Sequence, residues 1–180
     1  SRPHNAWLLE NHDRELVALL EELGVQVAVP AVLDALDGVE PKHLGLRFLD
    51  LQELSRVLVN VGLDESTEEE SLPKALRDKA RMRALWEEIE AQLSRDRGTL
   101  DDLAGVAVFP DSSGNLHPPE LLVAAEKGTV EIFSPWIPFL DSNELKGCPK
   151  LREAVDRYSV EFVAEALSGA ALRDESRIFD

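Results

Sequence analysis

A single cysteine, Cys148, cannot close an internal disulfide, which fits a reducing compartment. Positive charge is also scarce, with 19 Lys and Arg against 35 Asp and Glu and a formal net charge of -16. Such a field repels phosphate backbones and anionic lipid surfaces, so nucleic acid and membranes are set aside as partners. The one basic run, Lys74, Arg77, Lys79, Arg81 and Arg83, leads directly into Glu87, Glu88 and Glu90 and reads as a solvated helix face. No apolar run approaches the ~18 residues of a membrane span, and the first residues carry no signal-peptide core. A soluble, cytoplasmic chain is expected. It opens on Ser1 rather than Met, which fits a segment of a longer protein.

The residues that make chemistry recognisable are few and dispersed. Ten glycines are scattered, and neither GxxxxGK[ST] nor GxGxxG occurs, so no loop gathers backbone amides around a phosphate. His4, His12, His43 and His117 are too far apart for paired-ligand spacing, and Asp64 to Glu70 lacks the order and central glycine of an EF-hand. No metal and no cofactor are therefore expected. Asp101 and Asp102 are adjacent, diverge on a helix and suit capping better than acid-base work. Cys148, between Gly147 and Pro149 at an expected helix start, is the one residue with a reactive setting, because a helix dipole stabilises a thiolate. With no histidine nearby in sequence, a plain helix-start or core cysteine is the better reading, and no catalytic residue is assigned.

What is present is the material of a core. At 180 residues, 44% hydrophobic and 30% charged, the chain can bury roughly 70% of its unfolded surface. Leu16, Leu19, Leu20 and Leu23 recur at helical spacing between a cap at Asn11 and a stop at Gly24. Trp7 to Leu9 are expected to pack beside this helix or extend it. Val25, Val27 and Val29 alternate like a strand before Pro30, and Ala31 to Leu36 suit a short helix. Asp50 and Glu53 offer a capping box for a helix carrying Leu51, Leu54, Leu58 and Val61 and closed by Gly62.

The acidic stretch Asp64 to Glu70 reads as an exposed or mobile connector between two parts, 1–63 and 71–169, with 170–180 a loose tail. Ser71 is the expected cap of the longest helix, with Pro73 just inside it and a buried face of Leu76, Met82, Leu85, Trp86, Ile89 and Leu93 running to Gly98. Thr99 and Asp102 open one helical turn. Leu103 to Leu122 then read as strand, turn and returning strand around Asp111 to Asn115, and Val130 to Phe133 as a third strand. Pro149 to Leu167 suit a last amphipathic helix. The fold class is α+β, mostly helical, with a small antiparallel sheet of a hairpin plus one strand.

Surface recognition is the remaining route to function. Trp136 and Phe139, framed by Pro135 and Pro138 in an extended segment, are residue types that dominate protein contacts when exposed, although they also suit the edge of a small sheet.

Leu85-Trp86-Glu87-Glu88-Ile89, followed by VAVFPDSSGNLHPPELL with its Phe-Pro strand end, glycine turn and Pro-Pro-Glu step, resembles a module repeated in sacsin-like proteins. Those are large chains with an Hsp90-type ATPase domain. Leu19-Leu20-Glu21-Glu22-Leu23-Gly24-Val25 is similar to a phrase that recurs between such modules. The resemblance covers about half of the chain. It implies a chaperone-like parent whose ATP chemistry lies in another domain, since none of the ATP-binding motifs can be placed here. The expectation is a non-catalytic interaction or structural module that contacts other domains of the same chain or client proteins. Two alternatives are an enzyme or ligand-binding domain built from sequence-distant carboxylates, and a spacer. Oligomeric state is not legible.

Overall fold

The structure is a computed structural model, and it describes residues 6–9, 12–28, 31, 39–40, 43, 45–124 and 137–158. The architecture is α+β, with helices and two short two-stranded pairings contributing to the core. β1 (Trp7–Leu8) and β2 (Arg47–Phe48) pair in parallel, with Trp7 opposite Arg47 and Leu8 opposite Phe48. Val27 bridges Trp7 on the other side, so Trp7–Leu8 is a central strand and does not extend a helix. Its backbone is closed from both flanks by Ala28 N donating to Trp7 O at 2.8 Å and Leu49 N to Leu8 O at 3.0 Å. A pairing two residues long has no periodicity of its own, and its partner lies about 40 residues away, where local pattern carries no signal.

α1 (Arg14–Glu22) is capped by Asp13, whose Oδ1 accepts from Glu15 N at 2.9 Å and Leu16 N at 3.0 Å. The expected cap, Asn11, lies outside the described residues, as do most of the expected short helix at 31–36, the third strand at 130–133 and the tail. The helix closes as expected at Gly24, whose φ of +83° is open to glycine at no steric cost. α2 (Leu51–Asn60) is capped by Asp50, with Oδ1 accepting from Glu53 N at 2.9 Å.

The longest helix starts later and stops earlier than its pattern predicts. α3 (Lys79–Ser94) is capped by Asp78, not Ser71; Ser71 instead ends a 3-10 turn at Glu69–Ser71, and a second one, Lys74–Arg77, lies between it and Asp78. A carboxylate that accepts from both Ala80 N and Arg81 N is a stronger stop for the positive helix end than a serine followed by proline. Beyond Ser94 the chain reaches Gly98, where an added Cβ would collide with the side chain of Leu51. Gly98 thus marks a close approach to the start of α2 and not the helix end.

β3 (Phe109–Pro110) and β4 (Leu116–His117) form the expected antiparallel hairpin, though only two residues long on each side. Single bridges widen it: Thr67 beside Leu116, Leu140 beside Asp111, and Val123 beside Phe139. Residues 149–158 are helical. One buried cluster runs from Leu9 to Val155 across both flanks of the acidic connector, with α1 packed on α3. Two long side chains tie its parts together: Trp86 Nε1 donates to Val108 O at 2.8 Å, and Gln92 Nε2 to Leu49 O at 3.0 Å.

Candidate functional site

The densest polar arrangement among the described residues grows from Asp111, the first residue of the hairpin turn. Its backbone N donates to Asn115 O at 2.9 Å and its carbonyl accepts from Gly114 N at 3.1 Å, so the turn holds it in place. Oδ1 accepts from Ser113 N at 2.7 Å and Asn115 N at 3.0 Å, and Oδ2 from Asn115 Nδ2 at 3.0 Å. His117 Nε2 also reaches Oδ2 at 3.0 Å, while His117 Nδ1 lies 2.8 Å from the Ser66 hydroxyl. Burial pushes the Asp111 pKa up, but the hydrogen bonds from His117, Ser113 and Asn115 outweigh it and hold the carboxyl below its ordinary value.

In the neutral tautomer with its proton on Nε2, the ring donates to Asp111 and leaves Nδ1 to accept the Ser66 proton. Ser66, His117 and Asp111 thus stand in the order of a nucleophile, a base and the group that orients the base. The ring is turned relative to the usual triad, with the carboxylate on Nε2. The neighbouring Thr67 N, a possible oxyanion donor, is already spent on Leu116 O at 2.8 Å.

The same contacts have a structural consequence. Connector residues 64–70 were expected to be exposed or mobile; their side chains are mostly exposed, yet their backbone is fastened to the hairpin. Thr67 pairs with Leu116 in both directions, at 2.8 and 2.9 Å, and Asn115 Oδ1 accepts from Glu69 N at 3.2 Å. Neighbouring Arg77 adds donations to Leu72 O and Glu70 O at 2.8 and 2.6 Å.

Beside this latch lies a cavity of about 280 Å³ between the hairpin turn, residues 69–77, α3 and residues 141–144. Leu72, Met82 and Trp86 form its floor, and Glu69, Asp141 and Glu144 stand on its walls.

The residues singled out from sequence sit as follows. Phe139 is only 6% exposed and pairs with Val123, so its ring is an edge plug and is not offered to a partner. Pro138 is half-buried, and its carbonyl accepts from Val123 N at 3.2 Å. Pro135 and Trp136 lie outside the described residues. Cys148 is buried, and burial pushes its thiol pKa up despite Arg83 nearby, the opposite of an activated thiolate. Asp101 meets Tyr158 Oη and Arg157, both at 3.1 Å, while Asp102 closes a capping box with Thr99, so the two acids do separate work. The basic run is largely neutralised, with Lys79 on Glu144, Arg81 on Glu22 and Arg83 on Glu87. Among the described residues no group of three His, Cys, Asp or Glu is placed to hold a metal ion, and no helix is long and apolar enough to cross a membrane.

Sequence inspection missed the Asp111–His117 pair, although the expected hairpin carried the signal. With Phe109 opposite His117 and Pro110 opposite Leu116, residues 109, 111, 115 and 117 share a face, and Asp111 is the diagonal neighbour of His117. No family model, curated protein or solved structure matches this chain.

Proposed function

We propose that this chain is a non-catalytic protein-contact module of a larger chaperone-like protein with an Hsp90-type ATPase domain elsewhere, meeting other domains of that protein or its clients. The observation that supports it is how the charged side chains are spent. Glu90 reaches about 60 residues along the chain to accept from Lys150 N and Leu151 N, capping the 149–158 helix from outside. Glu120 accepts from Gly105 N, and Arg83 donates to Glu144 O and Lys146 O. Charged groups that brace backbone in this way hold loops in fixed positions and present a constant acidic surface, which lowers the ordering cost of a protein contact.

The test uses the purified chain with two probes, citrate synthase aggregating at 43 °C and ATP in a calorimeter. Suppressed aggregation near equal molar ratio with no ATP heat is the expected result. ATP binding would remove the non-catalytic reading, and aggregation unaffected by the chain would remove client binding and leave contacts within the parent protein or a spacer.

A second reading, an acyl-transfer enzyme, is favoured by Ser66, His117 and Asp111 alone. A fluorophosphonate probe decides it: covalent labelling of Ser66 that disappears in His117→Gln supports the enzyme, and an unlabelled Ser66 removes it.

A further inference from the structure

Resting on the protein-contact reading, we infer that the 280 Å³ cavity beside the hairpin turn takes a basic peptide segment, with a Lys or Arg side chain between its acidic walls and a neighbouring apolar side chain on its floor. The volume matches one or two side chains, not a folded surface.

Charge complementarity selects the occupant. Four acids line the cavity, against Arg77 and Lys79. Asp111 is committed to His117 and Glu144 to Lys79, whereas Arg77 is turned to backbone carbonyls. That leaves Glu69 and Asp141. The Glu69 carboxylate has no hydrogen bond or ion pair among the described residues, and Asp141 takes only the Asn143 N–H, at 2.9 Å. Neither carboxylate is matched by a cation, in a chain whose net charge is already -16. An incoming ammonium or guanidinium supplies what the walls lack, and an acidic segment is repelled.

The turn also fixes where the charge stands. Gly114 has a φ of +86°, and a Cβ there would come within 2.8 Å of Glu69 Oε2. Glycine at this position lets the carboxylate lie against the turn, at the cavity edge. The floor supplies the second half of the recognition. Leu72 and Met82 come from the segment before α3 and from its first turn, so an apolar neighbour of the cation meets hydrocarbon.

The test titrates the fluorescein-labelled peptide Gly-Leu-Lys-Arg-Leu-Gly into the full chain and follows anisotropy and amide shifts. Its acidic counterpart, Gly-Leu-Glu-Glu-Leu-Gly, is the control. The expected result is binding of the basic peptide alone, with the largest shifts at Gly114, Glu69 and Asp141. Affinity should drop by about threefold or more in Glu69→Gln and again in Asp141→Asn, as for loss of one exposed ion pair each, and weaken with added salt. Glu21→Gln, an equal charge change on exposed α1, should leave affinity unchanged.

Equal weakening by Glu21→Gln would mean diffuse attraction to an acidic protein and would overturn the site, as would shifts centred elsewhere. Suppression of citrate synthase aggregation without cavity shifts overturns the cavity alone. Cavity binding without suppression upholds the cavity and removes the client-binding part of the protein-contact reading.

Discussion

Asp111 is the residue on which the most local structure depends, since one carboxylate organises the turn, orients His117 and through it holds Ser66. Its pKa is held below the ordinary value, so the folded state binds its proton less readily than the unfolded chain. Folding stability from this group is therefore fully present above the unfolded carboxylate pKa and is lost as pH falls through the lower folded value. Asp111→Asn keeps the shape but removes the charge, and should cost about 2 kcal/mol at pH 7, the usual scale for hydrogen bonds to a charged group. Urea unfolding at a series of pH values checks the sign: the gap between wild type and variant should begin to narrow as pH falls below about 4, the ordinary carboxylate value, and close only below the lower folded value. A gap that stays constant or widens on acidification would mean that the carboxylate form is not the stabilising one.

At the scale of elements, the placement of α3 turns on its cap. If Asp78 starts the helix, Asp78→Ala removes the acceptor for two amides and should cost about 1 kcal/mol, whereas Ser71→Ala should be close to neutral. Thermal melts of the two variants separate the assignments, and a larger loss at Ser71 would restore the longer helix. The contrast shows which features were legible. Asp50, Gly24 and Gly62 were readable because cap and stop are local chemistry, written within a few residues of the apolar stripe they bound. Ser71 misled because it ends one 3-10 turn, the next opens at Pro73 without a side-chain cap, and the intervening Leu72 and Leu76 are buried in the core before Asp78 starts the helix. The Trp7–Leu8 strand was illegible, being two residues long and paired in parallel with a distant segment. The hairpin was legible, and with it half of the polar site, since its register puts Asp111 and His117 on one face. Ser66 was not, because it reaches His117 across 51 residues through the docking of the connector.

For the whole molecule, the question is whether the acidic connector separates two folding units or is carried on one. The leucines of α1 and α2 are fully buried, and what buries them includes α3, which follows the connector. Arg81 on α3 reaches back to Glu22 at 2.6 Å, and Gln92 to Leu49, so polar ties cross at the same places as apolar ones. A first part unfolding alone would expose apolar surface of the shared cluster that includes Met82, Leu85, Ile89 and Leu93 of α3. Among the described residues each half buries apolar surface of the other, which is the condition for all-or-none unfolding. Urea transitions followed by far-ultraviolet circular dichroism and by tryptophan fluorescence should therefore coincide. The sharper form of the test uses Leu54→Ala, fully buried in α2 and before the connector in sequence, which should cost between about 2 and 5 kcal/mol. That loss should move the midpoint of both probes together, with the slope of the transition unchanged. A variant in which part of the helical signal and the Trp7 share of the fluorescence melt early, while the rest of both signals holds to the original midpoint, would show that the chain before the connector stands as a separate unit.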